Sequence, residues 1–211
     1  EALFYFGTGS GGWSRDLVLM ANSLVRSTLT AIFIMILVIR RGHKLRDLGL
    51  AAKHLFKNIG RGLLAYIAAF PALLLTLLIL AFAAKAVSYE PAPQNVVQIY
   101  LKSSSDPYLL FFTLFVAGAG PILEEIFFRG FTYKAFRQKL GVVPAMAVSS
   151  LIFALFHLNL AAFIPVFLLG MLLCYLYEAT GSLVSSMTAH AAHNFLMISL
   201  TLGVKGLLNN I

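Results

Sequence analysis

The chain has 211 residues, 60% of them hydrophobic and only 11% charged, with a net charge of +8. A soluble domain of this length cannot bury so much apolar surface, so the composition points to a bilayer as solvent. The single cysteine, Cys174, excludes an internal disulfide framework and a thiolate metal cage. The positive residues flank apolar runs, as membrane topology requires, so nucleic acid is not an expected partner.

Glu1 is not an initiator methionine, so a truncated, processed or incomplete chain is expected, with any targeting segment lying ahead of it. A membrane span needs about 20 apolar residues. In chain order the candidates are Leu17–Ile39, Leu63–Val87, Tyr108–Phe128 and beyond, Val142–Leu160, Ala161–Tyr177 and Leu183–Val204. The fourth and fifth adjoin at "HLNLAAFIP", where a turn near Pro165 is expected at membrane depth. No dyad alternation suggests a barrel, and there is no internal repeat or low-complexity segment. The prediction is an all-α, polytopic transmembrane helix bundle with about six spans and one interfacial helix. Residues 1–107 would hold the N-terminal spans and loops, and residues 108–211 a second helix bundle. The chain is read as a multi-pass integral membrane protein in contact with lipid.

Orientation follows from the basic segments. One holds Arg40, Arg41, Lys44, Arg46, Lys53, Lys57 and Arg61; the other holds Arg129, Lys134, Arg137 and Lys139. Both should face the cytoplasm, and the nearly balanced stretch from Ser88 to Pro107 the opposite side. Within the first segment, Leu48, Ala52, Leu55, Phe56 and Ile59 share one helical face opposite Lys53, His54, Lys57 and Asn58. That pattern fits a short helix in the headgroup layer, or else a solvated connector.

A charge at mid-bilayer costs about 2.5–3.5 kcal/mol, so each one needs a reason. Arg26 reads as a snorkelling or bundle-facing residue, and Lys85 lies near a span end. Glu124, Glu125, Arg129, His157, His190, His193 and Asn194 demand more. Glu125 and Arg129 are one helical turn apart and can pair, which holds Glu125 ionised. Glu124 is left without that counter-ion and free to exchange protons, an acid/base arrangement. A plainer alternative has the two acids ending a span among headgroups. His157 follows Phe153 by one turn, and Asn194 follows His190 by one turn. A lone membrane histidine is usually a helix-to-helix hydrogen bonder. Counting at 1.5 Å per residue puts Glu124 and His157 each about 21 Å from the turn at "KLG", with His190 and Asn194 about 12–18 Å deep from the same side. These groups can meet at one level if the third helix is unbroken, although Pro121 should kink it near Ala117.

Glu124-Glu125-x-x-x-Arg129, Phe153-x-x-x-His157 and His190-x-x-x-Asn194, in that order and each within an apolar helix, resemble the three-motif signature of the CPBP family. That family comprises the CAAX prenyl endopeptidases and the bacteriocin-processing or immunity proteins, also called the Abi family. The resemblance covers about Tyr108 to Val204. It implies an all-helical intramembrane endopeptidase in which Glu124 activates the attacking water and Glu125, Arg129, His157, His190 and Asn194 complete the site. Family members are commonly called metalloproteases. His157 and His190 with a carboxylate could hold Zn²⁺; alternatively His157, His190 and Asn194 could orient substrate and stabilise the oxyanion with Glu124 alone as base. His193 lies near the face of His190, as a supporting partner or an ordinary helix contact. No His-Glu-x-x-His or Gly-x-Ser-x-Gly motif is present. The expected substrate is a prenylated CAAX-type or other membrane-associated peptide or membrane-protein segment. The expected membrane is a bacterial or archaeal inner membrane, or the endoplasmic reticulum. The competing class is a non-catalytic membrane scaffold or bacteriocin immunity or regulatory protein. Proton-coupled transport is a third, without the inverted repeat that would support it.

Overall fold

The computed structural model of the protein describes residues 15–42, 44–50, 54–102 and 109–208, and every regular element among them is helical. In chain order these are α1 (Arg15–Arg40), a 3₁₀ turn at Leu45–Leu48, α2 (Leu55–Ala86), α3 (Asn95–Lys102), α4 (Leu109–Leu140), α5 (Val142–Phe156), α6 (Phe163–Thr180) and α7 (Leu183–Leu208). The α2, α4 and α6 helices are each long and apolar enough to cross a membrane. Leu64, Ile67, Leu75 and Phe82 on α2 are all more than half exposed, a surface that only lipid solvates. The chain is an integral membrane protein built as an all-α bundle.

Small residues set the closest helix contacts. A Cβ on Gly62 of α2 would stand 2.4 Å from the Ser185 carbonyl oxygen of α7. One on Gly170 of α6 would stand 2.9 Å from the Ser150 Cβ of α5. With no hydrophobic effect between helices in lipid, such close approach supplies the packing.

Several boundaries differ from the sequence expectation. Leu55, Phe56 and Ile59 are not in a separate in-plane helix; they form the first turns of α2, while Ala52 and Lys53 lie outside the described residues. The segment expected as an extramembrane loop contains α3, which docks on α7 through the Lys205 ammonium and the Tyr100 carbonyl, 3.1 Å apart. Tyr108, the expected start of the third span, also lies outside the described residues. The fourth span is shorter than expected: α5 stops at Phe156, and the backbone turns through Leu158 at φ +49°. Asn159 builds that turn. Its Oδ1 accepts the Ala162 N–H at 2.9 Å, closing the turn just before α6, and its amide donates to the Ala92 carbonyl at 3.0 Å.

The α4 helix is continuous but not uniformly α-helical. It widens to π geometry at Phe115–Ala119 and again at Ile126–Tyr133, with the two glutamates in the α-helical turn Gly120–Glu125 between them. The kink expected near Ala117 is thus a change of hydrogen-bond register.

At the basic end, three successive carbonyls cross-link the first part of the chain to the rest. Lys134 of α4 donates to Asp47, the Tyr177 hydroxyl of α6 to Leu48 at 3.1 Å, and the Leu183 N–H of α7 to Gly49 at 3.0 Å. Gly49 has φ +87°, and a Cβ there would stand 2.7 Å from the Tyr177 ring, so only glycine fits.

Candidate active site

The second π stretch of α4 and the facing side of α7 bury a chain of polar groups. Arg129 Nη1 donates to Glu125 Oε1 at 2.6 Å, and both side chains are fully buried. Arg129 Nη2 donates to the Gly170 carbonyl of α6 at 3.2 Å. His190 Nδ1 reaches the same Glu125 oxygen at 3.0 Å. The guanidinium also lies 4.5 Å over the ring of Phe153, which is fully buried. A buried ion pair needs such added contacts to offset the cost of desolvating both charges. The pairing expected from the spacing of Glu125 and Arg129 therefore forms. Arg129 is itself buried, whereas Arg137 and Lys139, which the sequence groups with it in one basic segment, are exposed.

Glu124, one residue back, points elsewhere. Its side chain is 37% exposed, and its Oε2 stands 3.8 Å from His190 Nε2. The ionised Glu125 carboxylate accepts the Nδ1–H of His190, which leaves Nε2 directed at Glu124. His157 sits at the C-terminal end of α5, not deep within a span. Its Nδ1 faces the Phe153 carbonyl at 2.8 Å, so its Nε2 is also free for chemistry. Phe153 joins the two imidazoles: the His157 ring packs against it at 4.6 Å and the His190 ring at 5.5 Å. Its place four residues before His157 was visible in sequence; its role as the shared platform was not.

Asn194 and His193 take other partners. The Asn194 amide donates to the Val116 carbonyl in the first π stretch of α4 at 2.8 Å. His193 turns to α2, where its Nδ1 meets the Tyr66 hydroxyl at 3.2 Å and the rings contact edge to face. It is a helix contact and no partner of His190. Arg26 is exposed on α1 and does not face the bundle.

Among the described residues no three His, Cys, Asp or Glu side chains converge in a way that could hold a metal ion.

The basic end of the bundle is filled. Leu48, Ile126, Tyr133, Tyr177 and Leu183 form one buried cluster there, and Gly130 packs against the Leu48 carbonyl. Exposure lies instead beside Glu124, itself 37% exposed, where Phe127, one turn on from it, contacts Phe156 of α5, which is 66% exposed. An aromatic group lines the same region: Phe128 contacts Phe127, Phe153 and Phe156 at 4.8, 5.0 and 5.7 Å between centroids.

The bundle thus holds one carboxylate locked in an ion pair and a second facing an oriented imidazole. Residues 106–196 match the family model for type II CAAX prenyl endopeptidases, Rce1-like, and this match supports a CPBP-family intramembrane protease. Comparison with curated proteins and with solved structures returns no significant match to the chain. The family carries a proteolytic, hydrolase activity of the CAAX type and a membrane-associated peptide as substrate.

Proposed function

We propose that the protein is a multi-pass endopeptidase in which Glu124 activates a water for attack on a peptide carbonyl. The observation that carries this reading is the 3.8 Å gap between Glu124 Oε2 and His190 Nε2. It is too long for a direct hydrogen bond, yet a water oxygen about 2.8 Å from each group fits between them. Glu124 takes the water proton as the oxygen attacks the carbonyl carbon. His190, held through Nδ1 at Glu125, turns its Nε2 toward the developing oxyanion. His157 offers a second Nε2 toward the same centre. When the C–N bond breaks, Glu124 returns its proton to the leaving amine, giving a carboxylate and a free amine. No step passes through a metal ion.

The substrate is a prenylated CAAX-type or similar membrane-associated peptide. Its apolar chain lies along Phe127 and Phe156 and reaches Glu124 from the exposed flank, since the basic end is filled.

Glu124→Gln tests the reading. In detergent with a farnesylated CAAX-type peptide it should lower turnover by about 10²–10⁴-fold, the range for removing a general base, with the melting temperature unchanged. Wild-type turnover in Glu124→Gln would sink the mechanism. A chelator-treated, metal-free sample should keep its turnover; loss that is reversed by added Zn²⁺ would move His157 and His190 into a ligand role. Binding of the peptide without cleavage by wild type would favour the non-catalytic scaffold.

A further inference from the structure

We infer that Asn194 is a positioning residue: its amide takes the backbone carbonyl that Pro121 strands at Val116, and so holds His190 at its distance from Glu124. This rests on the mechanism proposed above but gives Asn194 a role other than contact with the reacting carbonyl.

Main-chain bonding in α4 shows why the carbonyl needs a partner. In an α-helix Val116 would accept the Gly120 N–H, but that N–H is bonded one residue further back, to Phe115. In this wider register the donor for Val116 would be residue 121. Residue 121 is proline and has no N–H. The Val116 carbonyl is thus left without a main-chain donor inside a membrane protein, where water is not at hand to replace it. Asn194 Nδ2 supplies the bond at 2.8 Å.

The consequence is mechanical. His190 and Asn194 are one turn apart on α7, and each is fastened to α4: His190 to Glu125, Asn194 to Val116. Two fastenings one turn apart fix both the rotation and the slide of α7 against α4 at this level, whereas one fixes them less tightly. The distance that a pivot about the His190–Glu125 bond would change is the 3.8 Å between His190 Nε2 and Glu124. A displacement of about 1 Å at reacting groups can cost on the order of 100-fold in rate.

The test uses Asn194→Ala, Pro121→Ala, the double variant and Glu124→Gln in the full chain, with the farnesylated peptide as probe. Pro121→Ala places an N–H at the position that Val116 lacks. Asn194→Ala should lower kcat by about 10- to 100-fold with KM unchanged, and shift the pH profile of kcat as His190 and Glu124 separate. Adding Pro121→Ala should recover at least about tenfold of that loss and return the profile toward wild type. Folded double variant with no recovery would overturn the inference and leave Asn194 acting on the substrate carbonyl. A loss of activity that merely tracks the folded fraction would overturn it too. If the double variant does not fold, Asn194→Ala alone decides: a lowered kcat with an unchanged pH profile defeats the proposal. Cleavage that survives Glu124→Gln would instead fail the mechanism above. The melting temperatures of the four combinations of Asn194→Ala and Pro121→Ala then still report the link, and strictly additive shifts would refute it.

Discussion

The two π stretches of α4 have the same geometry and different causes. Each has a carbonyl bonded by a side chain from a neighbouring helix: Val116 by Asn194 of α7 at 2.8 Å, and Phe128 by Ser149 of α5 at 3.0 Å. The first stretch stands before a proline that cannot donate, so its cause is covalent and local. The second, Ile126–Tyr133, contains no proline, and its register is held by what packs around it: the Glu125–Arg129 pair, Gly170 of α6 and Phe153 of α5. The comparison separates a distortion written in one residue from one enforced by tertiary contacts. The second should therefore fail together with its neighbours, and the first should respond to Pro121 and to the one side chain that covers its carbonyl, Asn194.

The strongest way to break the second stretch is to remove its cation. Arg129→Met leaves Glu125 buried without a counter-ion and should cost about 3–5 kcal/mol, read as a lower melting midpoint in detergent. A variant as stable as wild type would mean that the pair does not hold this register. Crowding its support is the next largest perturbation. Gly170→Val drives a side chain into Ser150 of α5 beside the carbonyl that Arg129 uses, and overpacking of this kind should cost about 1–3 kcal/mol. An unchanged melt would show that α5 and α6 can part without strain. Ser149→Ala sharpens the comparison with the smallest change. It frees the Phe128 carbonyl and should cost about 1 kcal/mol, with little effect on turnover because neither group faces Glu124. A loss of turnover as large as that expected for Asn194→Ala would erase the distinction between the two stretches.

How much of this was legible in sequence depends on where each partner lies. The Glu125–Arg129 pair is local, four residues apart, and helical geometry alone predicts it. The Phe153–His157 contact is legible for the same reason. Pro121 announces a disturbance of α4, but not that the helix continues by widening. The bond from Asn194 could not be foreseen, because its acceptor is a backbone carbonyl 78 positions away that any residue type would present. The Tyr66–His193 contact is equally hidden, joining helices by a pair that belongs to no motif. The early end of α5 follows from Asn159, whose side chain serves two backbone groups at once; in sequence it reads as one polar residue in an apolar run. Depth counting brought the polar residues to a common level, yet it could not tell which of them face one another.

The strap at Asp47, Leu48 and Gly49 carries a lesson about sequence drift. It ties the early part of the chain to α4, α6 and α7 with carbonyl oxygens, which every amino acid has. Substitution at position 47 leaves its carbonyl in place and gives up only the side-chain bond from the Lys44 N–H at 2.8 Å, position 48 asks for an apolar side chain to fill the end of the bundle, and Gly49 is the most tightly constrained. A saturation library across these three positions should therefore tolerate many residues at the first, apolar ones at the second and almost none at the third. Such a joint leaves little trace in an alignment of related chains. The residues matched to the family begin at 106, well after the strap, although the strap closes one end of the bundle that those residues build.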